Sequence, residues 1–265
     1  MRRPIIKEIN PALVKAHEAI VDRLTTDKLY FNPLLINLPH GRGACVTSFC
    51  AMEALNAIET SVKQHALSPK CLPNKPYFTA RQNDVSRLIN VLYIGTSDTI
   101  HYSGMPYFEW ALKKLGLHEN YEIKRHKGYI ERKEYRNKIE FVSILRFTPD
   151  QIMWSHPSII IIDEAVQLTH VMYDAITHTA QCLNDRTGRN AIIMVSYHPD
   201  PDPFHWLNFE GFHAQRDKAN YLRVHATYKS VPREWLGETF FQEADMLKKE
   251  NLEDYKHEYL GEPIW

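Results

Sequence analysis

The chain has 265 residues, 44% of them apolar and 24% charged, which is long enough to bury a substantial core in one large domain. Thirty-two basic and thirty-two acidic residues cancel, so a nucleic-acid contact would have to come from a local patch, not from the whole-molecule field. No run approaches the ~18 apolar residues of a spanning helix, only Ile5 and Ile6 stand before Lys7, and Cys45, Cys50, Cys71 and Cys182 lack paired spacing, which excludes membrane, secreted-scaffold and zinc-ribbon readings and fits reduced cytoplasmic thiols.

The first predicted element is a helix over 11–24, with Asn10 as its cap, Pro11 at its first position and Leu13, Ala16, Ile20 and Leu24 on one face. Residues 33–39 are a short apolar run fenced by prolines and read as a buried strand. A tight turn, His40-Gly41-Arg42-Gly43-Ala44, leads into a predicted helix over 47–58. Residues 61–86 are polar and irregular, with Pro69, Pro73 and Pro76. Strands are expected over 90–96, 139–145, 158–162, 191–196 and 221–228, and helices over 105–115 and 165–183, the latter with Leu168, Val171, Met172, Ala175, Ile176 and Thr179 inward. Short continuous apolar strands alternating with helices predict an α/β fold, a mostly parallel sheet covered on both faces. Residues 238–262 carry eight acids against three bases and read as an acidic helical appendage.

Two constellations carry chemistry. A strand, a glycine-rich turn and a helix occur in succession at 34–58, where backbone N–H groups and a helix N-terminus can cradle phosphate. The motif itself is weak: GxxxxGK[ST] asks for glycine, glycine and lysine where His40, Cys45 and Val46 stand, and only Thr47 fits. An ordinary strand-to-helix turn is the alternative. The second constellation, Ile159 to Ile162 followed by Asp163 and Glu164, delivers two carboxylates to the ligand-binding edge of a sheet. Asp163 there can hold magnesium and Glu164 can orient or deprotonate water; capping of the next helix is the competing role. The following strand ends in Ser196-Tyr197-His198-Pro199, a polar end able to sense a terminal phosphate.

Three other clusters have competing readings. His198, Asp200, Asp202 and His205 are interleaved with prolines and suit a turn-rich loop. His170, Asp174 and His178 suit a solvated helix face. Residues 122–138 hold seven Lys or Arg against three acids; they can track a phosphate backbone or form an exposed ribbon with self-paired charges.

In their order along the chain these segments resemble the N-terminal ATPase domain of phage large terminase subunits of the PBSX-like group. The resemblance rests on Phe31-Asn32-Pro33, Gly41-Arg42-Gly43, Ile162-Asp163-Glu164-Ala165, Ser196-Tyr197-His198-Pro199 with His205-Trp206, His225-Ala226-Thr227-Tyr228-Lys229, and Tyr255-Lys256-His257 through Leu260-Gly261-Glu262-Pro263. It implies a P-loop NTPase fold with a helical C-terminal lid or linker, divided as 1–30, 31–230 and 231–265. It implies a magnesium-dependent ATPase driving double-stranded DNA through a portal into a procapsid, in the host cytoplasm. Partners implied are DNA, the portal, a small terminase subunit, further copies in a ring, and a nuclease domain on a separate chain. By position, Gly41, Arg42, Gly43, Ala44, Cys45, Val46, Thr47 and Ser48 would bind nucleotide, Thr47 and Asp163 would hold Mg2+, Glu164 and Arg42 would be catalytic, and Ser196 and His198 would couple hydrolysis to movement.

The chain departs from that family at the loop lysine, replaced by Val46, and at the glycine before it, replaced by Cys45. The lysine is a point charge on the β- and γ-phosphates, so its loss opens a second expectation: a terminase-like module that binds DNA, portal or terminase without hydrolysing ATP. No nuclease motif follows residue 263.

Overall fold

The computed structural model describes residues 9–25, 30, 32–66, 89–96, 104–187, 190–209 and 219–264. The N-terminal helix α1 (Val14–Thr25) follows a single 3-10 turn in which the Asn10 side chain accepts from the Ala12 N–H. Strand β1 (Leu34–Pro39) feeds α2 (Val46–Ala66), and β2 (Val91–Gly95) precedes α3 (Met105–Lys114). A hairpin of β3 (Tyr121–Lys124) and β4 (Tyr129–Arg132) leads into β5 (Lys138–Ser143). Then come α4 (Asp150–Ser155), β6 (Ile159–Ile162), α5 (His170–Thr187), β7 (Ile192–Tyr197) and β8 (Tyr221–Arg223). Two helices, α6 (Glu238–Glu250) and α7 (Leu252–Leu260), close the described chain.

The sheet runs β3-β4-β5-β2-β6-β7-β1-β8. From β5 to β8 every pairing is parallel, and β3 and β4 extend it antiparallel. The central strands are buried on both faces, which explains their unbroken aliphatic runs. Alternate residues serve opposite cores. Leu34, Ile36, Leu38, Tyr93, Ile159 and Ile161 pack with α1, α2 and α3, whereas Leu35, Leu92, Ile160 and Ile162 pack with α4 and α5. A third, smaller core joins Tyr228, Ala244, Tyr255 and Tyr259 under α6 and α7.

The expected elements recur with four corrections. Residues 61–66 continue α2 and are not irregular, because Ser61 and Val62 remain buried on its inner face; the rest of that irregular stretch, including Cys71, lies outside the described residues but for Ile89 onward. The helix expected from Ala165 does not begin there. A 3-10 turn (Ala165–Gln167) intervenes, and α5 starts after Thr169, whose Oγ1 accepts from the Met172 N–H. Its inward face is accordingly rotated to Tyr173, Ile176, Ala180 and Leu183, leaving Val171 79% exposed. The last strand stops at Arg223; His40 and Ala226 form an isolated bridge and Tyr228–Ser230 a 3-10 turn.

Candidate functional site

Because β7 lies between β1 and β6, the C-terminal ends of these three strands stand side by side. They deliver the turn after Pro39, Ser196 on β7 and Asp163 just past β6 to one edge of the sheet. This is the crevice where open α/β sheets bind ligands.

Asp163 is 4% exposed and its carboxylate is held on several sides. The Tyr93 hydroxyl donates to Oδ2 at 2.5 Å, and the Ser196 hydroxyl and the Glu164 backbone N–H donate as well. Burial raises its pKa, and those three donors oppose the rise. Ser196 Oγ also lies 3.2 Å from His40 Nε2, so a chain of contacts runs Tyr93–Asp163–Ser196–His40 across three strands and the turn. Burial drives the His40 pKa down to about 4, and His198 and His225 add to the fall. The His198 Nδ1 meets the His40 carbonyl oxygen at 3.1 Å, and its ring meets that of His257 edge-on at 4.6 Å.

Glu164 takes φ 57°, a left-handed conformation that side chains other than glycine occupy at a cost. Burial first, and the Asp163 charge second, raise its pKa. Neither carboxylate caps α5, whose cap is Thr169. The competing role considered for this pair therefore falls.

The turn itself is tightly enclosed. Cys45 has φ 60°, a conformation natural to the glycine it replaces in the resemblance. Val46 is 2% exposed and packs in the core with α2. Thr47 and Ser48 are half-buried in the first turn of α2, whose first N–H groups have no intrahelical acceptor and whose first turn carries no acid.

The C-terminal helices lie directly on this turn. The Arg42 N–H donates to the Glu258 carbonyl at 2.8 Å, and the Gly41 N–H to the Ala226 carbonyl at 3.2 Å. A Cβ on Gly41 would sit 2.2 Å from the Tyr259 carbonyl oxygen, and one on Gly43 would sit 2.5 Å from the Phe240 ring. The Arg42 guanidinium lies 3.3 Å from Glu243 and 4.0 Å from Glu258, and donates to the Tyr259 hydroxyl at 3.3 Å.

These contacts bring together Gly41, Arg42, Gly43, Ala44, Asp163, Glu164, Ser196 and His198 at one sheet edge. They also add residues that sequence reasoning missed: Tyr93, His40, Phe240, Glu243, Glu258 and Tyr259. A short apolar run gives no sign that Tyr93 turns its hydroxyl to a carboxylate. Of the His198, Asp200, Asp202 and His205 cluster, His198 belongs to this edge and the two aspartates serve their own loop. Asp200 and Asp202 cap their own loop by accepting from the Asp202 and Phe204 N–H groups, and His170 pairs with Asp174 on the surface of α5. Among the described residues no three His, Cys, Asp or Glu side chains are placed to hold a metal by themselves.

The phage terminase large subunit family model matches residues 88–262, two-thirds of the chain. The chain belongs to the phage terminase large subunit family. The match spans Asp163, Ser196 and the Leu260-Gly261-Glu262 segment but begins after the 40–48 turn. The large terminase subunit of Bacillus phage SPP1 is 35% identical over 77 residues, 29% of this chain and 18% of that protein. Among solved structures, the ADP complex of the large terminase from a thermophilic bacteriophage superposes with a TM-score of 0.53 at 16% identity, covering 92% of this chain and 52% of that one. The HK97 bacteriophage large terminase gives 0.56 at 12% identity, covering 97% and 51%. The terminase chain thus shares the α/β fold of these large terminases and spans about half the length of the solved relatives. No helix among its described residues is long and apolar enough to cross a membrane.

Proposed function

We propose that this terminase chain is an ATPase motor domain that couples ATP hydrolysis to translocation of double-stranded DNA into a procapsid. The observation that carries the reading is the shared edge of β1, β7 and β6, where Asp163, Glu164 and Ser196 meet a glycine-rich turn at a helix N-terminus. The relative from the thermophilic phage is a complex with ADP, which supports nucleotide as the ligand of this edge.

In this reading Gly41 to Ser48 bind the phosphates, chiefly through the first N–H groups of α2. The hard oxygen donors Asp163 and Thr47 fit Mg2+, and one carboxylate plus a hydroxyl is the sparse protein set a nucleotide-borne magnesium needs. When bound, that ion supplies charge neutralisation on the phosphate oxygens. Glu164 accepts a proton from the attacking water, a task suited to a carboxylate whose pKa is raised. Tyr93 and Ser196 hold the Asp163 carboxylate in one orientation. Ser196 and His198 connect that carboxylate to the turn and, through His257, to α7, a route from hydrolysis to movement. Residues 31–230 form the catalytic core, 1–30 an N-terminal addition, and 231–265 a lid whose small core also takes in Tyr228. The working assembly is a ring docked at a portal in the host cytoplasm, with a small terminase subunit and a nuclease domain as further partners.

A second reading has its own observation. The lysine position is filled by a buried valine, and Arg42, the only Lys or Arg of the 40–48 turn, faces Glu243 and Glu258. A chain so built would bind DNA, portal or terminase without turnover. Magnesium-dependent ATP turnover with and without duplex DNA separates the two. Turnover that disappears in Glu164→Gln while nucleotide binding persists supports the motor; absence of turnover in the native chain overturns it in favour of the binding module.

A further inference from the structure

The β3–β4 hairpin places a short run of cations at the same sheet edge as the candidate nucleotide site. Strand β4 runs antiparallel to β5, with Tyr129 opposite Glu140, and the Phe141 N–H donates to the Gly128 carbonyl at 2.8 Å. The turn Arg125-His126-Lys127 therefore stands level with the C-terminal end of β5. There the chain turns again through Ile144, Leu145 and Arg146, with the Ile144 N–H bound to the Gly95 carbonyl. Neighbouring strands are about 5 Å apart, so both turns project from one stretch of the edge.

Arg125, His126, Lys127 and Arg146 are all exposed, and His126, Lys127 and Arg146 make no ion pair among the described residues. The other cations of the hairpin are used internally. Lys124 is held by Glu122 and Glu131, and Arg132 is buried against Glu59. The turn is also fixed in place. Arg125 is anchored to Glu109 on α3 at 2.6 Å, and Gly128 closes the turn at φ 70°. A fixed turn loses little conformational entropy on binding.

We infer that this ledge, Arg125, His126, Lys127 and Arg146, docks the phosphate backbone of duplex DNA. The inference rests on the packaging-motor reading and supplies its DNA-contacting residues. Charges spread along two adjacent turns suit a polymer of evenly spaced phosphates, since together they offer a line and no enclosed site for one anion. The molecule is neutral overall, so its attraction for DNA must come from such a local patch.

The test is fluorescence anisotropy of a labelled duplex of about 30 base pairs titrated with the full chain at several salt concentrations. Lys127→Glu with Arg146→Glu should weaken binding at least tenfold and flatten the log–log salt slope by about 2, at ~0.9 per lost phosphate contact. The control, Lys133→Glu with Arg136→Glu, makes the same charge change at the opposite edge of the hairpin and should leave slope and affinity near native. DNA binding that is native in the ledge variant, or equally weakened in the control, overturns the ledge while leaving the motor reading intact. A native chain that binds no duplex overturns both. DNA-free ATP turnover and circular dichroism, expected to be native in both variants, confirm that the fold and the nucleotide edge are untouched.

Discussion

The Arg42 guanidinium lies 3.3 Å from the Glu243 carboxylate, so the one Lys or Arg of the glycine-rich turn is held by the first C-terminal helix. Both side chains are about half exposed, and such a pair is worth only ~0–1 kcal/mol. Glu243→Gln is therefore expected to lower the melting temperature by no more than about 3 °C. It should tighten binding of a fluorescent ADP by up to about fivefold, because Arg42 is freed toward phosphate. Equal affinity in the two proteins would show that Arg42 is not being withheld.

A raised Glu164 pKa fixes the sign of a pH profile. Burial and the neighbouring Asp163 disfavour its carboxylate form, so the base is lost to protonation above the ordinary 4.5 of a glutamate. The ratio kcat/KM is expected to fall as pH drops, with its acid midpoint above that value. A midpoint at or below it would remove Glu164 from the role of base.

Tyr93→Phe deletes a buried donor to Asp163. Loss of a hydrogen bond to a charged group should cost about 1.5–3 kcal/mol, read by urea denaturation. The Asp163 pKa should rise further, because a donor that favours the ionised form has gone. Magnesium-dependent nucleotide binding should weaken with it, whereas Phe108→Leu, a packing change beside Tyr93, should affect stability alone.

Tyr93 also shows where sequence reasoning ends. The four isoleucines before Asp163 announce a doubly buried strand, and Ser196 at the end of the next strand follows from the same pattern. The start of α5 was not legible, because Ala165, Leu168 and Met172 keep helical spacing through a 3-10 turn that follows a left-handed Glu164. Periodicity reports burial and is blind to such a kink. Nor does spacing reveal that α6 and α7 return about 200 residues later to sit on Gly41 and Gly43, since that contact is tertiary. The acidity of the last segment was visible, and its target, Arg42, was not.

His40 predicts how stability responds to acid. Its folded pKa is lowered to about 4 from 6.5, so the unfolded chain binds more protons between those values. Stability contributed by the neutral ring is complete above about pH 6.5 and is lost as pH falls toward 4. His198 is shifted in the same direction by burial, and His17, raised by Glu53, acts oppositely. In His40→Gln, the fall in melting temperature between pH 6.5 and 4 should be shallower than in the native chain. An unchanged slope would mean that the His40 ring takes up its proton equally readily in the folded and unfolded chain.

Gly41→Ala tests the seat of the C-terminal helices. Its Cβ would lie 2.2 Å from the Tyr259 carbonyl oxygen, a backbone atom that cannot swing away. The expected result is release of α7 from the turn, seen as faster tryptic cleavage at Lys256 and loss of about 1–3 kcal/mol. Gly116→Ala, whose Cβ meets nothing within 4 Å and whose strain at φ 67° is confined to the turn after α3, should leave that cleavage unchanged. Protection that is native in Gly41→Ala would mean that α7 is held mainly by its aromatic contacts with Tyr228 and Phe240.

The buried group of Glu59, Arg132 and Tyr121 has a mechanical meaning. Arg132 Nε and the Tyr121 hydroxyl each donate to Glu59 Oε1 at 2.9 Å, fastening the hairpin to the middle of α2. Val46 and Glu59 lie on the same continuous helix, about 20 Å apart at ~1.5 Å per residue. A pull applied at the tip of the hairpin is thus borne by a stiff rod whose far end starts directly after the glycine-rich turn.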